Sequence, residues 1–462
     1  MNQTELFNLA LGLSDPWFVR DVEFEAKKGE LHLHLDFRAG SRFPCPTCGA
    51  AGCPVRDSEN RTWRHLNFFQ HQTQLHARVP RTTCDGCGVK QVEVPWARPG
   101  SGFTLLFEAL ALTLVAQMPV SAVARLMQVQ DTRLWRLLQA YVREALEERD
   151  MASVRQVGVD ETACRRGHDY VSLFVDLAAR AVLFVTPGKD ASTFDRFVAD
   201  LAQHGGHPND ITDVAIDMSA AFAAGAARTL PNAAITHDKF HIFRLVTDAV
   251  DETRREESSS HPELVGTRYV WLKNPLNLTP RQLEDWDRLK DANLKTVKAY
   301  ELWLAFREIW HMPLSDARGA VGRWISWALR SRVPAMAKVA QTLRRNVPNV
   351  LRVLETDLST AVLEGINSLV QAAKARARGY RNVEYFLTMI YVIAGRLSLP
   401  EWDHAVEQWI IRLNFLARCC PELQLPPITP DDRKHLVEQI CQGAVSARDL
   451  KDREVRRVGN ED

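Results

Sequence analysis

The alternation of apolar and polar positions changes period several times along the chain. Val19, Val22 and Phe24, and then Leu31, Leu33 and Leu35, alternate around Lys27-Lys28-Gly29-Glu30, which predicts a β-hairpin over residues 18–37. From residue 103 to 146 the period becomes helical. Leu105, Leu106, Ala109, Leu110, Leu112 and Leu114 mark one helix, and residues 120–138 read as a helix-turn-helix, with Ser121 capping its first helix and Asp131 or Thr132 its second. Beyond Arg155 short Val-, Leu- and Phe-rich strands take over: Val157-Gly158-Val159 running into Asp160-Glu161, then residues 170–175 and 181–185. A helix capped at Ser192 or Thr193 and stopped by Gly205-Gly206 follows. Next come a strand over 211–216 that ends at Asp217, an Ala-rich helix near 220–230, a strand over 233–236, and a helix after His237-Asp238-Lys239-Phe240-His241. The order βββαβαβα is that of a ribonuclease-H-like core, a three-stranded meander extended by parallel strands.

Between residues 251 and 355 the pattern is helical and rich in tryptophan, with Trp271, Trp286, Trp303, Trp310, Trp324 and Trp327 among charged residues. Two readings of these tryptophans stay open, the core of a helix bundle or stacking on an exposed DNA base. A further helix is predicted over 363–378, where Glu364, Asn367, Gln371, Lys374 and Arg378 share an arc of about 80° at 100° per residue. Gly379 stops it. Residues 384–397 form an apolar helix. Residues 402–416 and 431–450 read as two amphipathic helices joined by a Pro-containing linker.

The expected architecture is therefore a multidomain α/β chain. A β-rich zinc-binding module (1–100) and a helix-turn-helix (101–150) precede a ribonuclease-H-like core. That core runs over 151–250, is interrupted by a helical, Trp-rich insertion over 251–355, and is completed by the Glu364 helix over 356–398. Residues 399–462 form a helical extension.

Composition narrows the classes of function. The chain has 462 residues, 46% of them hydrophobic and 25% charged, as in an ordinary globular protein. No apolar run approaches the roughly 18–20 residues that cross a bilayer, and the N-terminus lacks a signal-peptide layout, so a cytoplasmic protein is expected. A net charge of +1 excludes a protein that coats nucleic acid over its whole surface and confines any DNA contact to basic regions.

Five of the nine cysteines fall between Cys45 and Cys87. Cys45-Pro46-Thr47-Cys48-Gly49 and Cys84-Asp85-Gly86-Cys87-Gly88 each have the form of a zinc knuckle, whose turn lets two thiolates reach one tetrahedral ion. The two can share a Zn²⁺ if the residues between them, around 63–79, make a β excursion. Cys53 and His65 have no knuckle partner, and Cys419-Cys420 has no knuckle geometry.

Asp160 ends the first strand of the core and Asp217 the fourth, and in this layout the two strand ends lie side by side. A later helix can set Glu364 against them. Three carboxylates in one place repel unless divalent cations neutralise them, and Mg²⁺ or Mn²⁺ prefers such oxygen ligands. Two such ions would serve an in-line displacement at phosphorus, with phosphodiester hydrolysis followed by strand transfer. His237, Asp238, His241 and Asn367 are read as groups behind these carboxylates that help position them or DNA. Glu364 follows Asp217 by 147 positions, far more than one connecting helix needs, which is why an inserted domain is expected.

With the paired CxxC module, the helix-turn-helix, Val157-Gly158-Val159-Asp160-Glu161, Ala215-Ile216-Asp217-Met218-Ser219, His237-Asp238-Lys239-Phe240-His241, Leu272-Lys273-Asn274 and Glu364-Gly365-Ile366-Asn367 leading to Arg378-Gly379-Tyr380-Arg381-Asn382, residues 18–398 resemble a DDE transposase of the ISL-three family of bacterial insertion sequences. The resemblance implies that Asp160, Asp217 and Glu364 form the metal-binding catalytic triad and that the zinc and helix-turn-helix modules recognise transposon ends. The expected partner is double-stranded DNA, both terminal inverted repeats and target, bound by at least a homodimer because two ends must be brought together. Arg125, Arg133 and Arg136 are assigned to end recognition, and Lys374, Arg376, Arg378 and Arg381 to phosphates near the cleavage site. Two other readings stay open: a catalytically inactive DNA-binding regulator on a retired core, and a structure-specific nuclease that cuts without end preference and never joins strands.

Overall fold

The chain packs as two units, the first reaching Leu138 and the second spanning Gln139–Leu397. The computed structural model describes residues 2–165, 169–356 and 361–400. The helices expected over 402–416 and 431–450, and Cys419-Cys420, lie outside the described residues.

In the first unit α1 (Gln3–Leu11) leads into β1 (Trp17–Glu25) and β2 (Glu30–Phe37), the expected hairpin. β3 (Arg42–Phe43), β4 (Cys53–Arg64), β5 (Gln72–Cys84) and β6 (Gly88–Gln91) complete a six-stranded sheet of order β1-β2-β5-β4-β3, with β6 on β5. The antiparallel β4–β5 pair is the β excursion expected between the two CxxC pairs. The alternating leucines face inward: Leu31, Leu33 and Leu75 are fully buried with Trp17 and Trp96.

Three helices follow, α2 (Leu105–Gln117), α3 (Val120–Leu126) and α4 (Asp131–Glu147). Ser121 is not the cap of α3. The helix begins one residue earlier, and the Pro119 carbonyl takes the amides of Ala122 and Val123 at 2.8 and 3.1 Å. Proline, with its fixed φ, starts the helix without a side-chain acceptor.

The second unit holds a five-stranded sheet built from β7 (Gln156–Ala163), β8 (Tyr170–Asp176), β9 (Ala181–Pro187), β10 (Asp213–Ile216) and β11 (Ala234–His237), in the order β11-β10-β7-β8-β9. β7, β8 and β9 are an antiparallel meander, and β10 and β11 add in parallel. The connecting helices are α5 (Ser192–Gln203), α6 (Ala220–Thr229) and α7 (Lys239–Glu257). Helix α5 starts at Ser192 after Ala191, with the Asp190 carboxylate accepting the Ser192 amide at 2.8 Å, so neither Ser192 nor Thr193 is its cap.

Between β11 and the last two helices stand α8 (Arg268–Trp271), α9 (Pro280–Leu289), α10 (Lys295–Ile309), α11 (Leu314–Arg330), α12 (Pro334–Arg345) and α13 (Val347–Glu355). Trp271, Trp303 and Trp324 are buried in their shared core, and Trp286 and Trp310 pack against it. For these five the bundle-core reading holds.

Helices α14 (Ala361–Arg376) and α15 (Val383–Ala394) cover one face of the five-stranded sheet, where Leu363, Ile366, Val370, Phe386 and Ile390 pack on Leu173, Val175 and Ala215. The opposite face takes α5 and α6 through Phe194, Phe197 and Phe222. Gly158 of β7 is the contact point of α14. A Cβ there would stand 2.7 Å from both Leu363 Cδ2 and Leu177 Cδ2. Gly158→Ala is therefore expected to cost about 1–3 kcal/mol through overpacking, measurable as a lower denaturant midpoint.

Candidate active site and zinc centre

The two knuckles meet in the first unit. The sulfurs of Cys45, Cys48, Cys84 and Cys87 all lie within 4.8 Å of one another, and Cys48 Sγ is 3.6 Å from Cys84 Sγ. A Zn–S bond of about 2.3 Å puts tetrahedral sulfurs about 3.8 Å apart, so this donor set is near the spacing that zinc needs. Gly49 and Gly88, each with φ of +72°, allow the chain to turn back under the sulfurs. The backbone N–H groups of Cys48 and Thr47 hold the Cys45 thiol down to about 6, favouring the thiolate that metals bind. Cys53 is buried, donates to the Ala50 carbonyl at 3.4 Å and has its thiol pushed up by burial. His65 bonds Thr104 Oγ1 at 2.8 Å.

In the second unit the parallel register Val214↔Val157 and Ala215↔Gly158 continues past the strand end to set Asp217 beside Asp160. Likewise Ile216↔His237 sets Asp217 beside Asp238. Three aspartates thus occupy one row across the sheet: Asp217 and Asp238 just past the ends of β10 and β11, and Asp160 within β7, which does not end there as the sequence suggested but stays paired with β8 as far as Ala163. Asp160 Oδ1 accepts the Glu161 amide at 2.8 Å, and Oδ2 accepts Asn367 Nδ2 at 2.6 Å. Burial pushes the Asp160 carboxyl up to about 6 against the Glu161 amide, the His241 imidazole and Asn367, and the Asp217 charge adds to the rise. A half-buried carboxylate beside a second one favours a neutralising cation, and an all-oxygen pair suits a hard divalent ion.

Helix α14 lies along β7 through the polar stripe noted in the sequence. Asn367 meets Asp160, Gln371 donates to Thr162 Oγ1, and Lys374 Nζ donates to the Ala163 carbonyl. The stripe therefore seats the helix, and Lys374 is half-buried with its ammonium committed to backbone. Glu364, one turn before Asn367, is exposed. The oxygens of Asp160, Asp217 and Glu364 do not all lie within 4.8 Å of one another. Arg376, Arg378 and Arg381 are exposed, and Arg378 has a φ of +58° just before Gly379 at +88°, so two residues share the helix stop.

His237 is buried. Its Nδ1 lies 3.0 Å from the Asp217 carbonyl and its Nε2 3.4 Å from Asn346 Oδ1. Asp238 caps α7 by accepting the Phe240 amide at 2.9 Å, and His241 Nε2 sits 3.8 Å from its carboxylate. Asp217, Ser219, His241, Arg244 and Asp248 line an open cleft of about 410 Å³.

The sequence reading missed three of these neighbours. Glu161 feels the Asp217 charge and faces Lys189 Nζ at 3.7 Å. Arg244 and Asp248 repeat at i+3 and i+7 from His241, a helical spacing that was legible in the sequence.

In the helix-turn-helix, Arg125 and Arg136 are exposed. Arg133 is not on a free outer face. Its guanidinium stacks 4.2 Å from the Phe103 ring centre and donates to the Gly102 carbonyl at 3.4 Å, because an adjacent aromatic offers it a face.

No helix among the described residues is long and apolar enough to cross a membrane.

Comparison with known proteins bears on the same segments. Residues 157–390 match a family model described as a transposase, and residues 92–142 match the helix-turn-helix domain of transposase family ISL3. Residues 41–87 match the zinc-finger of transposase IS204/IS1001/IS1096/IS1165. Over 440 residues the chain is 26% identical to the transposase for insertion sequence element IS1557 of Mycobacterium tuberculosis, covering 87% of this chain and 98% of that protein. Over 356 residues it is 29% identical to the transposase for insertion sequence element IS1001 of Bordetella parapertussis, covering 75% and 87% respectively.

Proposed function

The chain belongs to the transposases of family ISL3, and from that premise we propose that it binds the terminal inverted repeats of its own element, cleaves the DNA at their ends and joins the 3′-hydroxyls to target DNA. We read the five-stranded sheet, with its meander and two added parallel strands, as a ribonuclease-H-like core interrupted by the helices between α7 and α14. The divisions at residues 100, 150, 250, 355 and 398 remain our proposal for the domains.

The observation that carries the mechanism is the row of Asp160 and Asp217 on adjacent parallel strands, with α14 fixed to Asp160 by Asn367. In this reading Asp160, Asp217 and Glu364 hold Mg²⁺ or Mn²⁺. When bound, the ions activate a water or 3′-hydroxyl and stabilise the leaving oxygen. The protein's part is to keep the carboxylates in place. The Glu161 amide and Asn367 between them fix both oxygens of Asp160, and the bond from His237 to the Asp217 carbonyl steadies the strand end that carries Asp217. Glu364 is assigned the third place because it stands one turn before Asn367 on the helix that Asn367 anchors to Asp160.

Arg125 and Arg136 are proposed for end recognition, and Arg376, Arg378 and Arg381 for phosphates near the cut. Arg133 supports the recognition helix through Phe103, and Lys374 holds α14. A homodimer or larger assembly would bring two ends together. The four cysteines hold structural zinc.

The test is a strand-cleavage and joining assay with Mg²⁺ on labelled duplex carrying the repeats that flank the gene. Wild type is expected to nick and join. A protein that binds those ends and never cuts them would be the inactive regulator instead, and one that cuts without end preference and never joins would be the nuclease. In the same assay Asn367→Ala is expected to lower the cleavage rate about 10–100-fold with DNA affinity unchanged, the usual cost of losing a group that orients a metal ligand. Full activity in that variant would remove Asn367 from the positioning role.

A further inference from the structure

Charge is distributed unevenly in the helical segment between β11 and α14. From Ala317 to Leu354 the chain carries eight arginines and lysines and no aspartate or glutamate, while the rest of the chain has a net charge of −7. Two of the eight are paired: Arg318 with Glu355 at 3.5 Å and Arg352 with Asp213 at 2.6 Å. The other six, Arg323, Arg330, Arg332, Lys338, Arg344 and Arg345, are exposed and have no acidic partner among the described residues. Other surface arginines are paired, among them Arg81 with Asp57 and Arg228 with Asp195. An unpaired cationic strip on a chain that otherwise leans acidic carries an electrostatic cost, which an anionic partner removes.

Helix α11 shows what kind of partner fits. Its inner side is the buried set Ala317, Ala320, Val321, Trp324, Ile325 and Ala328. Its outer side presents Gly319, Gly322, Arg323, Ser326, Trp327 and Arg330 within an arc of about 140°. Glycine weakens a helix interior, and the fold does not require it here. A Cβ on Gly322 would meet nothing within 4 Å, and one on Gly319 would meet only the mobile end of Arg323 at 3.1 Å. Two bare positions flanked by arginines let an extended polyanion lie close to the helix backbone. Trp327 is 41% exposed, whereas Trp271, Trp303 and Trp324 are at most 7% exposed. An indole beside two guanidinium groups adds a flat apolar surface for a sugar or base.

The strip also leads to the carboxylates. Arg344 and Arg345 end α12, and the next residue, Asn346, lies against His237, whose other ring nitrogen is bonded to the Asp217 carbonyl. Lys374 of α14, which the sequence offered for this task, is turned onto β7, and α11 and α12 add six exposed cations to the arginines near the end of α14.

We propose that the outer faces of α11 and α12 form a second, sequence-independent binding surface for the phosphate backbone of duplex DNA, guiding it toward Asp217. The inference rests on the transposase reading for the identity of the polyanion. It does not depend on the catalytic roles given to the carboxylates. Each phosphate neutralised by the protein adds about 0.9 to the slope of log affinity against log salt.

The experiment measures binding of the full-length protein to a duplex carrying one element end and to a scrambled duplex of equal length, by fluorescence anisotropy over a salt series. Arg323→Gln with Arg330→Gln, and separately Arg344→Gln with Arg345→Gln, are each expected to lower the slope by about 2 for both duplexes. The ratio of the two affinities should stay at the wild-type value, whereas Arg136→Ala should reduce that ratio. Lysine at positions 323 and 330 should restore the slope, which a merely structural role would not predict. If both glutamine pairs keep the wild-type slope while wild type binds, the surface is not a phosphate site and the transposase reading stands. If wild type binds neither duplex, both fall.

Discussion

Asp217→Asn is expected to slow strand cleavage by about a thousandfold or more while binding to element ends stays within a few-fold of wild type. The substitution keeps the shape of the side chain and its bond to the Ser219 amide, which Asp217 Oδ1 accepts at 2.9 Å. It removes one negative charge from the row shared with Asp160. A divalent ion held by that row contributes several kcal/mol to stabilising charge at phosphorus, and about 4 kcal/mol corresponds to a thousandfold in rate. DNA affinity is set by cations elsewhere, so it should not fall, and loss of a repelling charge can raise it slightly. The check is single-turnover cleavage of prebound duplex at saturating Mg²⁺, with Glu364→Gln alongside. If Asp217→Asn cleaves at the wild-type rate, the carboxylate row is not the catalytic centre. If Asp217→Asn is inactive and Glu364→Gln is fully active, the third ligand is another group, and Glu161, which feels the Asp217 charge, is the carboxylate to try.

Removing zinc should have an equally large effect on the first unit. Structural zinc sites contribute about 10–16 kcal/mol at neutral pH, comparable with the whole stability of a typical domain, about 5–15 kcal/mol. The sulfurs of Cys45, Cys48, Cys84 and Cys87 tie the short strands β3 and β6 to the ends of β4 and β5, and of these two short strands only Phe43 reaches the apolar core. β2 and the middle of β5 are different, being anchored by Leu31, Leu33 and Leu75. Chelation, or Cys84→Ser, is therefore expected to drop bound zinc from one per chain to near zero. Amide exchange protection should be lost first in residues 42–53 and 84–91 and last in residues 30–37. Cys53→Ser should keep the metal, since its thiol bonds the Ala50 carbonyl. Full zinc in Cys84→Ser, or loss of zinc in Cys53→Ser, would reassign the ligands.

Local spacing carries its own geometry, and that much is legible in the chain itself. Two CxxCG turns specify where two pairs of sulfurs point. Alternation specifies the hairpin at 18–37, and the βββαβαβα order follows from hydrophobic period alone. Asp160 and Asp217 are identifiable because each follows a short apolar run, although β7 in fact continues past Asp160 to Ala163. What the sequence could not decide is which polar side chain meets which neighbour. The stripe Asn367, Gln371 and Lys374 has the helical period of a solvated or DNA-facing edge, and only the seating of α14 on Gly158 turns it onto β7. Arg133 has the spacing of an outward residue, yet Phe103, 30 positions earlier, captures it. The six tryptophans are alike in sequence, and packing buries or half-buries five while leaving Trp327 outside among unpaired arginines. The division has a physical reason. Periodicity reports the face on which a side chain emerges, whereas its partner is set by long-range docking whose energy depends on shape and desolvation across segments far apart in the chain.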